Sequence, residues 1–127
     1  MNPLTVEWVD KAERDYLTAG REVRVRRRAN WDAVCFHAQQ SAEKYLKAFL
    51  HHHNITFPKT HDLIELLELC LSSDASFEFQ RGALILLNRY AVSYRYPGAS
   101  ADKDEAKSAY NTIKSVRTFM RVKLGLV

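Results

Sequence analysis

The stretch CFHAQQSAEKYLKAFLHHH places His37, Gln40, Lys44, Lys47 and His51 three or four residues apart. On a helix that spacing stacks them along one side. Their donors suit phosphate oxygens and base edges, and only Glu43 stands beside them as an acid. Such a row can line an anion-binding groove or form a hydrogen-bonded seam between two copies of the chain, and the groove is the preferred reading. A second group lies in NRYAVSYRYP, where Arg89, Tyr90, Tyr94, Arg95 and Tyr96 crowd ahead of Pro97 and Gly98. Arginine can fork onto a phosphate, and tyrosine can stack on a base or offer a hydroxyl. Alternatively Tyr90 and Tyr94 are core residues and Arg95 caps the last carbonyls of a helix.

Other groups carry less chemistry. His51, His52 and His53 are consecutive, so on a helix they point about 100° apart and cannot converge on one ion. No metal site is expected there, nor any cofactor. His61 and Asp62 are also neighbours that do not face each other on a helix. Asp62 is expected to complement a helix N-terminus while His61 packs or bonds locally. Cys35 and Cys70 lie on apolar faces without zinc-ligand spacing, which reads as two buried, reduced thiols. There is no glycine-rich phosphate loop, no GxSxG elbow and no paired-carboxylate arrangement, so a hydrolase with its own nucleophile finds no support.

The elements that must position these groups are helices. The chain has 127 residues, 46% of them hydrophobic, with only 4 Gly and 3 Pro. That is enough for one domain, residues 1–127, around a single core. Leu4, Trp8, Ala12, Tyr16 and Ala19 space one face of a first helix from Leu4 to Arg26. Asn30 is a good N-cap for a second, which runs to His53 and buries Trp31, Val34, Cys35, Ala38, Ala42, Tyr45, Leu46 and Phe49. Pro58 breaks it. Thr60 can cap a short third helix with Leu63, Leu66, Leu67, Cys70 and Leu71 inward. A fourth is expected from Phe77 to Ser93, burying Phe79, Ala83, Leu86, Leu87 and Tyr90. Ser100 opens a fifth, whose stripe is Ala106, Ala109, Ile113, Val116 and Met120 and whose end is Gly125. The result is an all-α antiparallel up-and-down bundle of four to five helices.

Net charge is +4, unevenly spread, since REVRVRRR packs Arg21, Arg24, Arg26, Arg27 and Arg28 around a single acid, Glu22. This run is either a solvated surface or an anion surface for phosphate, nucleic acid or an acidic partner. No apolar run approaches a membrane span, and MNPLTVEWVD lacks the basic end and apolar core of a signal peptide, which points to the cytoplasm. The 2 Trp, 6 Tyr and 6 Phe exceed what so small a core readily buries. A homodimer using parts of the second and fourth helices is therefore expected.

Taken together, WVDKAERDYLTAG, CFHAQQSAEKYLKAFL, THDLIELL and SYRYP resemble the HEPN family, the small helical domains named for higher eukaryotes and prokaryotes nucleotide-binding. The resemblance is to the short prokaryotic type and spans nearly the whole chain. It implies a helical bundle that usually dimerises, and a partner, a minimal nucleotidyltransferase encoded alongside, often as a toxin–antitoxin pair. In many such pairs the HEPN protein is a metal-independent ribonuclease toxin, sometimes neutralised by transfer of AMP to a tyrosine. Ribonuclease members carry an Arg followed four to six residues later by a His. No arginine here has a histidine at that distance; Arg89 is followed instead by Tyr94 and Tyr96. Tyrosine, with a pKa near 10, is a poor acid–base group at neutral pH. The expected function is therefore binding of nucleotide or RNA beside a nucleotidyltransferase, with His37, Gln40, Lys44, Lys47, Arg89, Tyr94, Arg95 and Tyr96 as candidate contacts. A ribonuclease using Arg89 or Arg95 with His37 or Tyr94, and a purely structural dimerisation module, are the alternatives.

Overall fold

A computed structural model describes residues 1–126. Its helices are α1 (Pro3–Val23), α2 (Trp31–His52), α3 (Leu63–Leu71), α4 (Arg81–Asn88) and α5 (Lys103–Lys123). Short 3-10 turns, Ala75–Gln80 and Arg89–Ala91, flank α4 on either side. Among the described residues there is no strand, and no helix is long and apolar enough to cross a membrane.

Side-chain caps set most of the starts. Asn2 Oδ1 accepts from Leu4 N, with Pro3 at the first helical position, where its missing N–H costs nothing. Asn30 caps α2 through Ala33 N at 3.0 Å, as expected. Asp62, rather than Thr60, caps α3 through Ile64 N at 2.9 Å, while Thr60 Oγ1 accepts from Asp62 N and turns the chain into it. Asp102, rather than Ser100, starts α5 by accepting from Glu105 N at 2.8 Å. The first helix also ends sooner than expected, at Val23, so Arg24 to Arg28 lie in the turn before α2.

Pairs of contacts fix the directions. Thr5 meets His51, and Asp15 meets His37, so α1 and α2 run opposite ways. Glu68 with Arg81, and Asp62 with Asn88, set α3 against α4 in the same manner. Phe77 on Phe119, and Tyr90 on Glu105, do so for α4 and α5. Residues 53–62 carry the chain back along α2, so Gln39 and Glu43 meet His61 near the start of α3.

The core gathers around α2, which is enclosed on most of its circumference. Val34, Cys35, Ala38, Ala42, Tyr45, Leu46 and Phe49 are buried as expected, and so are Gln39, Ser41, Glu43 and Lys47. The stripe of α5 is also as expected, with Ala106, Ala109, Ile113, Val116 and Met120 all inside. Gly20 lets α5 approach α1, since a Cβ there would stand 3.2 Å from the Tyr110 ring. Cys35 and Cys70 are both buried and unpaired, and burial pushes both thiols up to about 12.

Two faces differ from expectation. On α1, Ala12 and Ala19 are buried as expected, but at its start Thr5 and Val9 point inward in place of Leu4 and Trp8, and Leu4 is half exposed. The fourth helix is not one element from Phe77 to Ser93. A 3-10 turn has three residues per turn rather than 3.6, so its side chains do not continue the phase of the α-helix that follows. Phe77, Leu84 and Leu87 are buried, whereas Phe79 is 86% exposed.

Candidate functional site

The polar row of α2 is not a free cationic surface, because acids from outside the row neutralise it. Asp15 of α1 accepts from His37 Nδ1 at 2.8 Å and from Lys44 Nζ at 2.6 Å. Burial would raise the Asp15 carboxyl, but the hydrogen bonds from His37 and Lys44, with their charges, hold it below its ordinary value. Lys47 is itself buried. It bonds Glu43 Oε2 at 3.0 Å and lies 5.5 Å from the centre of the Trp8 ring. Gln40 donates to Gln39 Oε1 at 2.7 Å, and His51 Nδ1 pairs with Thr5 Oγ1 at 2.6 Å. Lys44, Lys47 and His51 therefore tie α2 to α1, Gln40 bonds only within α2, and the groove anticipated along the whole row narrows to its first member, His37.

The Asp15 arrangement predicts an acid limb in stability. The folded carboxyl is more acidic than an ordinary Asp, whose value is 3.8. The folded state thus binds fewer protons than the unfolded chain as pH falls. Its stabilisation is complete above the unfolded value and is lost as pH drops through the lower folded one. Chemical denaturation across that range should show the loss in wild type and a flatter profile in Asp15→Asn. Parallel profiles would remove Asp15 from the acid limb.

Where His37 lies, the start of α2 faces the turn after α4. Phe36, His37, Tyr94 and Arg95, with Asn30 and Asp32, line an open cleft of about 420 Å³. Asp32 and Phe36, four residues apart, share one face of α2. Asp32 Oδ1 accepts from Ala101 N at 2.7 Å and so pins the segment that follows the turn. Arg95 is exposed, and its guanidinium carbon stands 5.7 Å from the centre of the Phe36 ring. Tyr94 has a φ of +65°, a left-handed conformation unusual for an aromatic residue. Its hydroxyl donates to Glu105 Oε1 at 2.7 Å, beside that of Tyr90, which donates to Glu105 Oε2 at 2.9 Å. The hydrogen bond to Glu105, and then burial, push the Tyr94 hydroxyl up to about 12; burial chiefly raises that of Tyr90.

Besides Gln40, Lys44 and Lys47, two more expected contacts fall outside the cleft lining. Arg89 is exposed with its guanidinium carbon 5.2 Å from the centre of its neighbour Tyr90, and Tyr96 is 77% exposed. Sequence reasoning missed Phe36, Asn30 and Asp32 as lining, and Asp15, Glu43 and Glu105 as partners. An aromatic residue beside His37 was a readable hint; Asp15 and Glu105 carry no local signal, because their partners are distant in sequence. His61 also reaches further than expected, from an exposed position to the buried Glu43 Oε1 at 2.9 Å. Among the described residues no three His, Cys, Asp or Glu side chains converge as metal ligands would.

The fold and the four stretches that carried the resemblance now have an external counterpart. The profile of the HEPN domain matches residues 5–123. This chain belongs to the HEPN family. Its HEPN fold is similar to the crystal structure of ST0689, an archaeal HEPN homologue, with a TM-score of 0.72 at 20% identity. That match covers 92% of this chain and 94% of the archaeal one. A comparison with curated proteins returns no match. In this HEPN domain the cleft joins two of the stretches that carried the resemblance, the start of CFHAQQ and SYRYP.

Proposed function

We propose that this HEPN domain binds a nucleotide, free or within RNA, in the cleft between the start of α2 and the turn at Tyr94 and Arg95. The observation that carries this reading is the arginine standing over an aromatic face at the wall of an open cleft. A base can stack against such a platform while the guanidinium forks onto its phosphate. Arg26, Arg27 and Arg28 are exposed in the turn leading to Asn30, which lines the same cleft, so further phosphates have cations to meet. Family membership supports the rest of the reading, which is a homodimer acting with a minimal nucleotidyltransferase in a toxin–antitoxin pair. For the dimer, α4 offers exposed Ile85, while α2 has only its first turns and a few polar positions left to contribute. The ribonuclease alternative draws less support, because His37 is engaged by Asp15 and Tyr94 holds its proton against Glu105.

The test is a binding titration with AMP and with a short single-stranded oligoadenylate on wild type, Arg95→Ala and Arg95→Lys. Arg95→Ala should weaken binding about tenfold or more, the loss expected for one charge-assisted contact. Its melting should stay close to wild type, since an exposed side chain contributes within about 0.5 kcal/mol. Lysine keeps the charge but loses the planar fork and the stacking, so it should fail as well. Oligoadenylate binding should weaken steeply as salt rises, through released counterions. Unchanged affinity in both variants would remove the cleft from the function. Copurification with a minimal nucleotidyltransferase encoded in the same operon would support the partner, and the absence of such a gene or of any complex would remove it.

A further inference from the structure

The cleft depends on a turn that the local backbone does not favour. Tyr94 sits at a φ of +65°, where a side chain crowds its own backbone and where glycine is the usual occupant. Nothing in SYRYP supplies a glycine at that position, so the conformation must be held from outside the turn. Two attachments of the Tyr94 side chain do this. Its ring stacks on Tyr90 at 6.1 Å between centroids, and its hydroxyl reaches Glu105. Glu105 is well placed to serve as the anchor. It lies in the first turn of α5, its own N–H is held by Asp102, and its two carboxylate oxygens each take one tyrosine hydroxyl. The next residue after Tyr94 is Arg95, whose position over Phe36 therefore follows from how Tyr94 is held.

We propose that Glu105 is the positioning residue of the cleft, a carboxylate latch that binds Tyr90 and Tyr94 together, keeps the turn in its left-handed form and so sets Arg95 against Phe36. Glu105 touches no ligand in this arrangement. It acts only through Tyr94, and a nucleotide meets a turn already shaped for it, without having to order that turn on binding. This inference rests on the nucleotide-binding reading for its consequence but not for its geometry, and the two can be tested apart.

Two variants loosen the latch with little change in volume. Tyr94→Phe keeps the ring on Tyr90 and deletes one hydroxyl. Glu105→Gln keeps one accepting oxygen and replaces the other with an amide that cannot accept. The first readout is limited trypsin digestion followed by mass spectrometry, comparing cleavage after Arg95 with cleavage after Arg27, which lies in the other turn. Cleavage after Arg95 should rise about tenfold in both variants, as expected when a hydrogen bond to a charged group no longer holds the turn closed. Cleavage after Arg27 should stay near wild type, and the melting temperature should fall only by the few degrees that one such bond is worth. The second readout is oligoadenylate affinity, which should fall in both variants; Glu105→Gln is the decisive one, because Glu105 does not line the cleft whereas Tyr94 does. Unchanged cleavage after Arg95 would overturn the latch, and so would an equal rise at both arginines with a lower melting temperature, which would mark Glu105 as merely structural. Should the wild type bind neither AMP nor oligoadenylate, the nucleotide reading falls, and the digestion still decides the latch.

Discussion

Replacing Lys47 with methionine is expected to destabilise the fold by about 3–5 kcal/mol, the cost of stranding one member of a buried ion pair. Glu43 is only 4% exposed and Lys47 8% at their side chains, so neither can turn to water if the other is removed. Glu43 also accepts from Gln39, Gln40 and His61, but the first two are neutral amides at 3.5 and 3.4 Å and the last is an exposed ring. None of them replaces an ammonium at 3.0 Å. Methionine retains much of the volume of the buried lysine stem, which isolates the loss of the charge on Glu43 and over Trp8 from the loss of volume. The double variant Lys47→Met with Glu43→Leu should recover most of the loss, because an apolar pair of similar size is often as stable as the ions it replaces. Urea denaturation of the two singles and the double measures this directly. A Lys47→Met cost below about 1 kcal/mol would mean that water reaches Glu43 after all.

The second large effect separates two phenylalanines two residues apart. Phe77→Ala should cost about 3–5 kcal/mol, the range for deleting a fully buried aromatic ring. Phe77 is fully buried, with ring centroids 4.5 Å from Phe49 and 5.1 Å from Phe119, so it joins the end of α2 to the end of α5. Phe79→Ala should change stability by no more than about 0.5 kcal/mol, because the ring already stands in water. Comparable losses for the two would contradict the 3-10 turn that sets them apart.

That pair also shows where the sequence could and could not be read. The stripes of α2 and α5 repeat over five or six turns of regular helix, so small errors of phase average out and their buried faces were legible. The element around α4 is short and bounded by 3-10 turns. One change of pitch there moves Phe77 inward and Phe79 outward, and no α-helical pattern can register it. On α1 the phase slipped by one residue at the start, because Thr5, a polar residue, lies inward and bonds His51 while Leu4 does not. In the site, His37, Tyr94 and Arg95 come together at one cleft, whereas Gln40, Lys44 and Lys47 do not line it. A cation looks free until its acid is found, and Asp15 comes from another helix altogether. Glu43 was in plain view beside Lys47, but its burial is a property of the packed bundle and not of the helix alone.

The two enclosed thiols give the molecule a built-in clock. A thiol with a pKa of about 12, sealed in the core, has almost no thiolate to offer an alkylating reagent while the bundle stays shut. Labelling must therefore wait for the chain to open, and its rate reports how often that happens. Cys35 belongs to the central helix, which opens only when the whole bundle does. Cys70 belongs to a nine-residue helix held on one side of it. If the short helix swings out by itself, Cys70 will be tagged sooner than Cys35, and the lag between them will measure how independently that corner of the fold breathes.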